Sequence, residues 1–238
     1  MPDFIWTEEK ILWYQEAVAY FGYDRVLADA AEPYLPREET VCDLGCGSGY
    51  LAMELARRGY RVTAADKNGI ALDYLEREAA RRGITGLTIR RADWLELPPG
   101  AVWDNVVMAM AGQPAEDMAL FRRFARHRLI LFTKADRRSH IRPDGVAILQ
   151  HASREEIEAA LVGVPFETFP LTTPFGQPFR SPDEAAAYLR AYGEEDATPE
   201  TAAERLSPTG AEDYPFVLPG QKSLNVFIIP GTGEGVVS

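Results

Sequence analysis

The sequence has little cysteine and histidine. It contains 2 Cys and 3 His in 238 residues, and both cysteines, Cys42 and Cys46, lie in one glycine-containing segment without a further Cys or a nearby His. That spacing does not make a zinc site, and we interpret both as reduced small residues. Asp104 precedes its strand and has no obvious acidic partner with which to hold a divalent ion, so we predict that the protein requires no metal.

The chain also lacks a positively charged start followed by an apolar run, and no apolar stretch approaches the roughly 20 residues that span a bilayer. We therefore expect a cytoplasmic protein that does not enter a membrane. Its net charge of -11 disfavours broad attraction to nucleic acid or to an anionic membrane, but leaves room for a local basic patch. A content of 46% hydrophobic and 26% charged residues is typical of one folded domain.

Strand and helix signals alternate, which predicts an α/β protein with a parallel sheet and crossover helices. Strands are predicted around Asp43 and at 61–65, 87–91, 103–109, 129–132, 165–170 and 223–229. Helices are predicted at 50–58, about 70–82, 115–126 and 153–162, the last with a capping box of Ser153 and Glu156. We expect helices on both faces of the sheet.

Two further segments are predicted to cover this core within a single domain, 1–238. The first, 1–35, contains an amphipathic helix with Ile11, Leu12, Ala17 and Phe21 on one side. The core, 36–170, is followed by about fifty residues before the last strand, 223–230, and we interpret 171–222 as an inserted helical cap. Its helix signals are Ser181 before 185–192 and Thr198 before Pro199.

The most informative segment is Val-Cys-Asp-Leu-Gly-Cys-Gly-Ser-Gly-Tyr at 41–50. An apolar strand ends here, and Gly45, Gly47 and Gly49 precede a helix, an arrangement that lets the backbone turn sharply beneath a nucleotide-like ligand. The fingerprint of NAD-binding proteins has glycine at its sixth position, where this chain has Tyr50. The pattern therefore departs from NAD binding.

With Asp43 ahead of the glycines, the segment resembles the first motif of class I S-adenosylmethionine-dependent methyltransferases. Asp66 at the end of the second strand, Asp93 and Trp94 after the third, and the strand Trp103–Ala109 resemble the family's next three motifs in order. The resemblance implies a Rossmann-like sheet of seven mostly parallel strands whose last strand is antiparallel. It also implies S-adenosyl-L-methionine as cofactor and S-adenosyl-L-homocysteine as product.

The resemblance further implies which residues bind the cofactor. Asp66 would accept hydrogen bonds from both ribose hydroxyls, Asp93 would contact the adenine amino group, and Trp94 would pack beside the ring. Met108 and Ala109 would lie near the reactive methyl group. The complete predicted set is Asp43, Gly45, Cys46, Gly47, Gly49, Tyr50, Asp66, Lys67, Ala92, Asp93, Trp94, Met108 and Ala109.

Ligands of open parallel sheets bind at the carboxyl ends of the strands, and this selects the loops that follow them. The loop after the fifth strand is basic, with Lys134, Arg137 and Arg138, and predicts an anionic substrate, although nine acids between 183 and 213 offer it a structural partner. Phe175, Tyr14 and Tyr20 are candidates for the substrate pocket, although core packing explains aromatic residues equally well. His140 is the candidate general base, with His127 and His151 as alternatives.

We therefore predict a methyltransferase that acts on a small, anionic metabolite by in-line displacement. Two alternatives remain at this stage. In an RNA-modifying enzyme, Arg122, Arg123, Arg126, Arg128 and the 134–142 loop would form one phosphate-binding strip. In a regulatory protein, the cofactor site would persist without catalysis. The sequence does not indicate the acceptor, the methylated atom or the oligomeric state.

Overall fold

The fold is centred on one seven-stranded sheet. The computed structural model describes residues 6–98, 100–112, 114–135 and 152–233. The strands of these residues are β1 Thr40–Leu44, β2 Arg61–Asp66, β3 Leu87–Arg91, β4 Trp103–Ala109, β5 Ala125–Lys134, β6 Glu167–Pro174, β7 Gln177–Phe179, β8 Ser207–Pro208, β9 Phe216–Leu218 and β10 Gln221–Pro230. The helices are α1 Glu8–Phe21, α2 Tyr23–Ala31, α3 Tyr50–Arg57, α4 Gly69–Arg81, α5 Met118–Phe124, α6 Arg154–Ala160, α7 Pro182–Ala191 and α8 Pro199–Ala203.

The sheet has the order β3-β2-β1-β4-β5-β10-β6. Neighbours from β3 to β5 are parallel, and β10 runs antiparallel between β5 and β6. The order reverses at β1, since β2 lies on one side of it and β4 on the other. Loops after β1 and β4 diverge there and open a crevice at the carboxyl edge, where open α/β sheets bind ligands. The predicted sheet is confirmed.

Both faces of the sheet are covered, because alternate side chains of a strand point to opposite faces. Val107, Ile130 and Val226 belong to a core that α1 to α4 cover, whereas Met108, Leu131 and Phe227 belong to a second core with α5 and α6. In β5 the run from Leu129 to Phe132 has no exposed surface, as expected for a central strand between two helical layers. Helices therefore pack on both faces, as predicted.

The fifth strand is longer than predicted and shortens the helix before it. β5 begins at Ala125, inside the predicted helix 115–126, and α5 covers only Met118–Phe124 after a 3-10 turn. Ala125 pairs with Trp103 of β4, and Pro230 of β10 pairs with Arg128. Backbone pairing with two neighbouring strands thus overrides the helical spacing of the side chains.

The covering segments differ in part from their predictions. In α1, Ile11 and Ala17 are buried, but Leu12 is 54% exposed and does not belong to the apolar face. The sixth strand is 167–174 rather than 165–170, because all eight of its residues pair with β10. The following segment contains α7 and α8 and also a three-stranded sheet of order β7-β9-β8, so it is not purely helical.

Local capping signals locate the helix starts well. Ser153 and Glu156 form the predicted capping box of α6, and Ser181 accepts a hydrogen bond from the Glu184 N–H at the start of α7. Thr198 and Thr201 cap α8. Across the part of the chain that the structure describes, no helix is both long and apolar enough to cross a membrane.

Candidate active site

The glycine segment forms a tight turn between β1 and α3. Gly45, Gly47 and Gly49 have φ values of 75°, 54° and 75°, the left-handed region that favours glycine. A Cβ on Gly45 would lie 2.6 Å from the Ala111 Cβ, and one on Gly49 would lie 2.4 Å from Leu75 Cδ1. The turn thus requires glycine for its backbone shape and also for the close approach of its neighbours.

Asp43 closes β1 beneath this turn and is 2% exposed. Burial raises the pKa of its carboxyl to about 7, with a hydrogen bond from the Ala52 N–H opposing the shift and repulsion by Asp66 adding to it. Ala52 belongs to the first turn of α3, where a carboxylate satisfies a helical N–H that lacks a partner within the helix. Asp43 therefore links the strand to the helix that follows the glycines.

Asp43 should make folding stability depend on pH. Its carboxyl has a pKa of about 7 in the folded protein, against about 3.9 in an unfolded chain, so the folded state binds the proton more tightly. The stability associated with Asp43 is present below pH 4, falls as the pH rises towards 7 and is lost above it. We expect Asp43→Asn to gain roughly 2 kcal/mol relative to wild type between pH 5 and pH 8 in urea unfolding. An identical pH dependence in both proteins would contradict this assignment.

Asp66 ends β2 and points towards the glycine turn. Its Oδ2 accepts a hydrogen bond from the Gly47 N–H at 2.8 Å, and its Oδ1 accepts one from the Asn68 N–H at 2.8 Å. Asn68 in turn caps α4 by accepting a hydrogen bond from the Ala71 N–H at 3.0 Å. Each carboxylate oxygen has a second lone pair, so Asp66 retains the capacity to accept two hydroxyl donors.

The end of β3 brings Asp93 and Trp94 to the same edge. The Ala92 N–H donates to the Asp66 carbonyl at 2.9 Å, which fixes this segment beside β2. Asp93 Oδ1 accepts a hydrogen bond from the Leu95 N–H at 3.0 Å, and Asp93 Oδ2 lies 3.8 Å from the Lys67 Nζ. The Trp94 ring lies 3.2 Å from the position of a Cβ on Gly45. Asp66, Asp93 and Trp94 therefore surround the glycine turn.

The end of β4 completes this edge. Met108 is fully buried in the second core, whereas Ala109 is partly buried against the first. Met110 follows with a φ of 58°, the only positive φ of a non-glycine residue among those described. Backbone strain of this kind is concentrated at functional sites, which makes Met110, in the loop after the fourth strand, a candidate site residue.

A cluster of aromatic residues covers the turn from the side of α1. The Trp6 ring lies 3.2 Å from the position of a Cβ on Gly47, and Tyr14 makes an edge contact with Trp6 at 5.9 Å between ring centroids. Tyr14 also contacts Tyr50 at 5.4 Å and Phe175 at 5.8 Å. The structure thus brings together the predicted residues Tyr14, Tyr50 and Phe175.

Tyr20 lies elsewhere. It is 40% exposed, and its ring contacts Phe21 and, at 6.0 Å, Tyr214 of the segment after α8. Contact with the cap explains its position, so the structure does not place it in the cluster around Tyr14. Of the basic residues predicted for the substrate, Lys134 lies at the end of β5 opposite Leu224, at the carboxyl edge. Arg137, Arg138 and the candidate base His140 lie outside the described residues, as does His151.

The remaining histidine and the arginines lie at the other edge of the sheet. His127 is near the start of β5, where its Nδ1 is 2.8 Å from Glu39 Oε1. Arg126 pairs with Asp104, and the Arg122 Nε donates to the Pro230 carbonyl at 2.9 Å. Lys134 is seven residues beyond His127 on the same strand, or roughly 23 Å away. His127 and these arginines therefore lie at the edge of the sheet opposite Lys134, whereas residues 136–142 of the predicted basic strip lie outside the described residues.

Comparisons with known proteins agree with this geometry. Residues 41–128 match the methyltransferase domain family. The chain is 31% identical over 137 residues to a cypemycin N-terminal methyltransferase of Streptomyces sp, covering 56% of this chain and 49% of that protein. It is 36% identical over 70 residues to ribosomal RNA small subunit methyltransferase G of Limosilactobacillus reuteri, covering 28% and 29%. The chain thus matches half or less of the length of these curated relatives.

Solved structures show the same fold. The YcgJ protein of Bacillus subtilis superposes with a TM-score of 0.59 at 13% identity, covering 89% of this chain and 99% of that one. Fold, glycine turn and strand-end acids together define a Rossmann-like methyltransferase domain. Residues 41–128 are similar to the methyltransferase domain family, and the chain has the Rossmann-like fold of class I S-adenosylmethionine-dependent methyltransferases.

Proposed function

We propose that the chain transfers the methyl group of S-adenosylmethionine to a small, anionic metabolite. The observation that carries the cofactor part is the convergence of the glycine turn, Asp66 and Trp94 at the carboxyl edge of the sheet. The glycines let the backbone turn tightly with Ala111, Trp6 and Leu75 packed against it, and Asp66 has acceptor capacity beyond its two backbone hydrogen bonds. These features fit an uncharged nucleoside better than a pyrophosphate.

In this proposal Asp66 accepts hydrogen bonds from the ribose hydroxyls and Asp93 accepts one from the adenine amino group. Trp94 packs beside the adenine ring, and Ala109 and Met110 lie beside the methyl-bearing end. The cofactor, when bound, supplies a sulfonium whose methyl carbon is open to attack. The protein aligns the attacking atom with that carbon and excludes water, and positioning alone contributes roughly 7 to 11 kcal/mol in favourable cases. The aromatic cluster around Tyr14 of α1 would help to exclude water.

Two observations support an anionic, small acceptor. Lys134 supplies positive charge at the carboxyl edge, where it pairs with Leu224 close to Lys222. Trp6, Tyr14 and Phe175 add aromatic surface next to them, which suits a compact ligand with an apolar body. The chain's net charge of -11 disfavours a nucleic-acid substrate. We also propose that the protein works in the cytoplasm.

The likeness to a ribosomal RNA methyltransferase favours RNA as a second candidate substrate. The two are separated by incubating the protein with cofactor carrying a labelled methyl group and three acceptor sets: small carboxylic acids, short peptides and ribosomal RNA. We expect label in the acid set, with rates that vary little between 50 and 200 mM salt. Label in RNA alone, falling steeply with salt, would replace the proposal by RNA modification. Cofactor binding without label in any set would favour a non-catalytic role.

A further inference from the structure

The amine of Lys222 lies in a cleft lined by aromatic rings. Its Nζ is 3.8 Å from the ring centroid of Phe175, 4.2 Å from that of Tyr23 and 5.0 Å from that of Tyr14. It donates a hydrogen bond to the Tyr14 hydroxyl at 3.3 Å. Lys222 and Tyr14 are partly exposed, whereas Tyr23 and Phe175 are buried. The amine is therefore enclosed by these rings at the border of the core.

Lys222 is the basic group of this cluster, and its surroundings favour the neutral form of its amine. Loss of hydration lowers the pKa of its amine well below the usual value, and the positive charge of Lys134 on the neighbouring β5 lowers it further. Burial raises the pKa of Tyr14 on α1, Tyr23 on α2 and Tyr50 on α3, so these phenols remain neutral. Among the ion pairs between described residues, none joins Lys222 to a carboxylate.

The amine is separated from the glycine turn by two aromatic rings. Tyr14, whose hydroxyl binds the amine, contacts Tyr50 directly after Gly49 and also contacts Trp6. Trp6 in turn lies over Gly47. β10 begins at Gln221 on the edge where β5 ends, so Lys222 is on the carboxyl edge together with Asp66 and Met110. A positive charge on Lys222 and one on a ligand in the turn would therefore act on each other through a poorly hydrated region.

We propose that Lys222 changes protonation in step with the charge on the sulfur of the bound cofactor, neutral beside the sulfonium and protonated beside the thioether of the product. This inference rests on the proposed function. Two positive charges at one poorly hydrated edge repel each other, and a separation of about 10 Å at an effective dielectric constant of about 20 would shift an equilibrium roughly tenfold. Removal of the sulfonium charge removes that repulsion, so the amine then accepts a proton.

The coupling also gives the reaction a proton acceptor. As the acceptor atom forms its bond to the methyl carbon, the carbon–sulfur bond breaks and its electron pair stays on sulfur. Where the attacking atom carries a proton, that proton is relayed through the Tyr14 hydroxyl to Lys222 Nζ, and the resulting ammonium later releases it to solvent. The positive charge moves from sulfur to nitrogen, so the net charge of the cleft is constant. Lys222 thereby takes the role that sequence analysis assigned to His140.

The test compares dissociation constants of S-adenosylmethionine and S-adenosylhomocysteine by calorimetry from pH 6 to 9.5. The two ligands differ by one methyl group and one charge, so their ratio isolates the response to the sulfonium. For wild type, we expect the dissociation constant of S-adenosylmethionine divided by that of S-adenosylhomocysteine to fall roughly tenfold as Lys222 loses its proton. Asp43 also titrates near pH 7 and would change the ratio in the same direction. Variants separate the two groups.

Asp43→Asn removes the carboxyl and keeps the amine, so its ratio should still depend on pH. Lys222→Met removes the amine and keeps an unbranched side chain that packs well against aromatic rings. In Lys222→Met, the ratio of dissociation constants should lose the pH dependence that remains in Asp43→Asn. The control is Lys10→Met, which removes an amine 5.4 Å from the ring centroid of Tyr192 and should behave as wild type.

A flat ratio in wild type or in Asp43→Asn would overturn the inference without affecting the proposed function, since both ligands would still bind. Full pH dependence in Lys222→Met would overturn it as well and would assign the effect to Asp43. Failure of both ligands to bind wild type at every pH would overturn the proposed function and this inference with it. Thermal unfolding of each variant shows that the folded protein is being titrated, and the Asp43→Asn arm holds even where Lys222→Met does not fold.

Discussion

An Asp66→Ala protein is expected to bind S-adenosylmethionine on the order of 100-fold more weakly than wild type. Hydrogen bonds to a charged group contribute about 1.5 to 3 kcal/mol each, and about 1.4 kcal/mol corresponds to tenfold in affinity. The substitution removes the proposed acceptors of both ribose hydroxyls. It also removes the acceptors of the Gly47 and Asn68 N–H groups, so the turn loses part of its support. Calorimetric titration measures the change directly.

Two matched variants serve as controls for the affinity of Asp66→Ala. Asp66→Asn keeps the shape and one acceptor oxygen but loses the charge, and its affinity should lie between those of wild type and Asp66→Ala. Asp73→Ala removes an exposed carboxylate on the neighbouring α4 and should leave binding unchanged. A folded Asp66→Ala protein with wild-type affinity would refute the assignment of Asp66 to the ribose.

Gly49→Ala should be the most destabilising single substitution in the turn. The residue has a φ of 75°, which costs a non-glycine residue about 1 to 2 kcal/mol. Its new Cβ would lie 2.4 to 2.9 Å from three side-chain atoms of Leu75, which is fully buried and has no space to retreat. Overpacking typically costs about 1 to 3 kcal/mol. We expect a total loss of about 2 to 5 kcal/mol in urea unfolding, with loss of cofactor binding.

Gly83→Ala is the matched control for the backbone contribution. Gly83 has a φ of 64°, and no atom lies within 4 Å of the position of its Cβ. Gly83→Ala should therefore show the cost of the conformation without the collision and should bind cofactor normally. Equal losses of stability in the two variants would show that contact with Leu75 contributes nothing, contrary to the close packing described here.

Sequence patterns were sufficient where structure is decided locally. The glycines and the flanking acids located the turn, and β3 and β4 have the predicted bounds, 87–91 and 103–109. Each of these signals depends on backbone shape or on capping within a few residues. The start of β5 was not predictable in this way, because Ala-Arg-His-Arg at 125–128 carries no strand pattern and is held by β4 and β10.

The site shows the same division. Asp66, Asp93 and Trp94 were predicted because each directly follows a strand whose carboxyl end faces the cleft. Trp6, Tyr23 and Lys222 were missed, since they are distant in the sequence and meet only through the packing of α1 and α2 against β10. One signal in the sequence pointed to Lys222. It lies at the start of the antiparallel last strand, and that end of the strand is at the carboxyl edge of the sheet. Phe175 and Tyr14 were predicted to line the substrate pocket, but their shared contact with the Lys222 amine was not predicted.

The most direct test of the central claim is calorimetric titration of the wild-type protein with S-adenosylmethionine and S-adenosylhomocysteine, with NAD as control. We expect both adenosyl ligands to bind in the micromolar range, roughly -8 kcal/mol, and NAD not to bind. Absence of binding by either adenosyl ligand, or binding of NAD with similar affinity, would contradict the cofactor site described here.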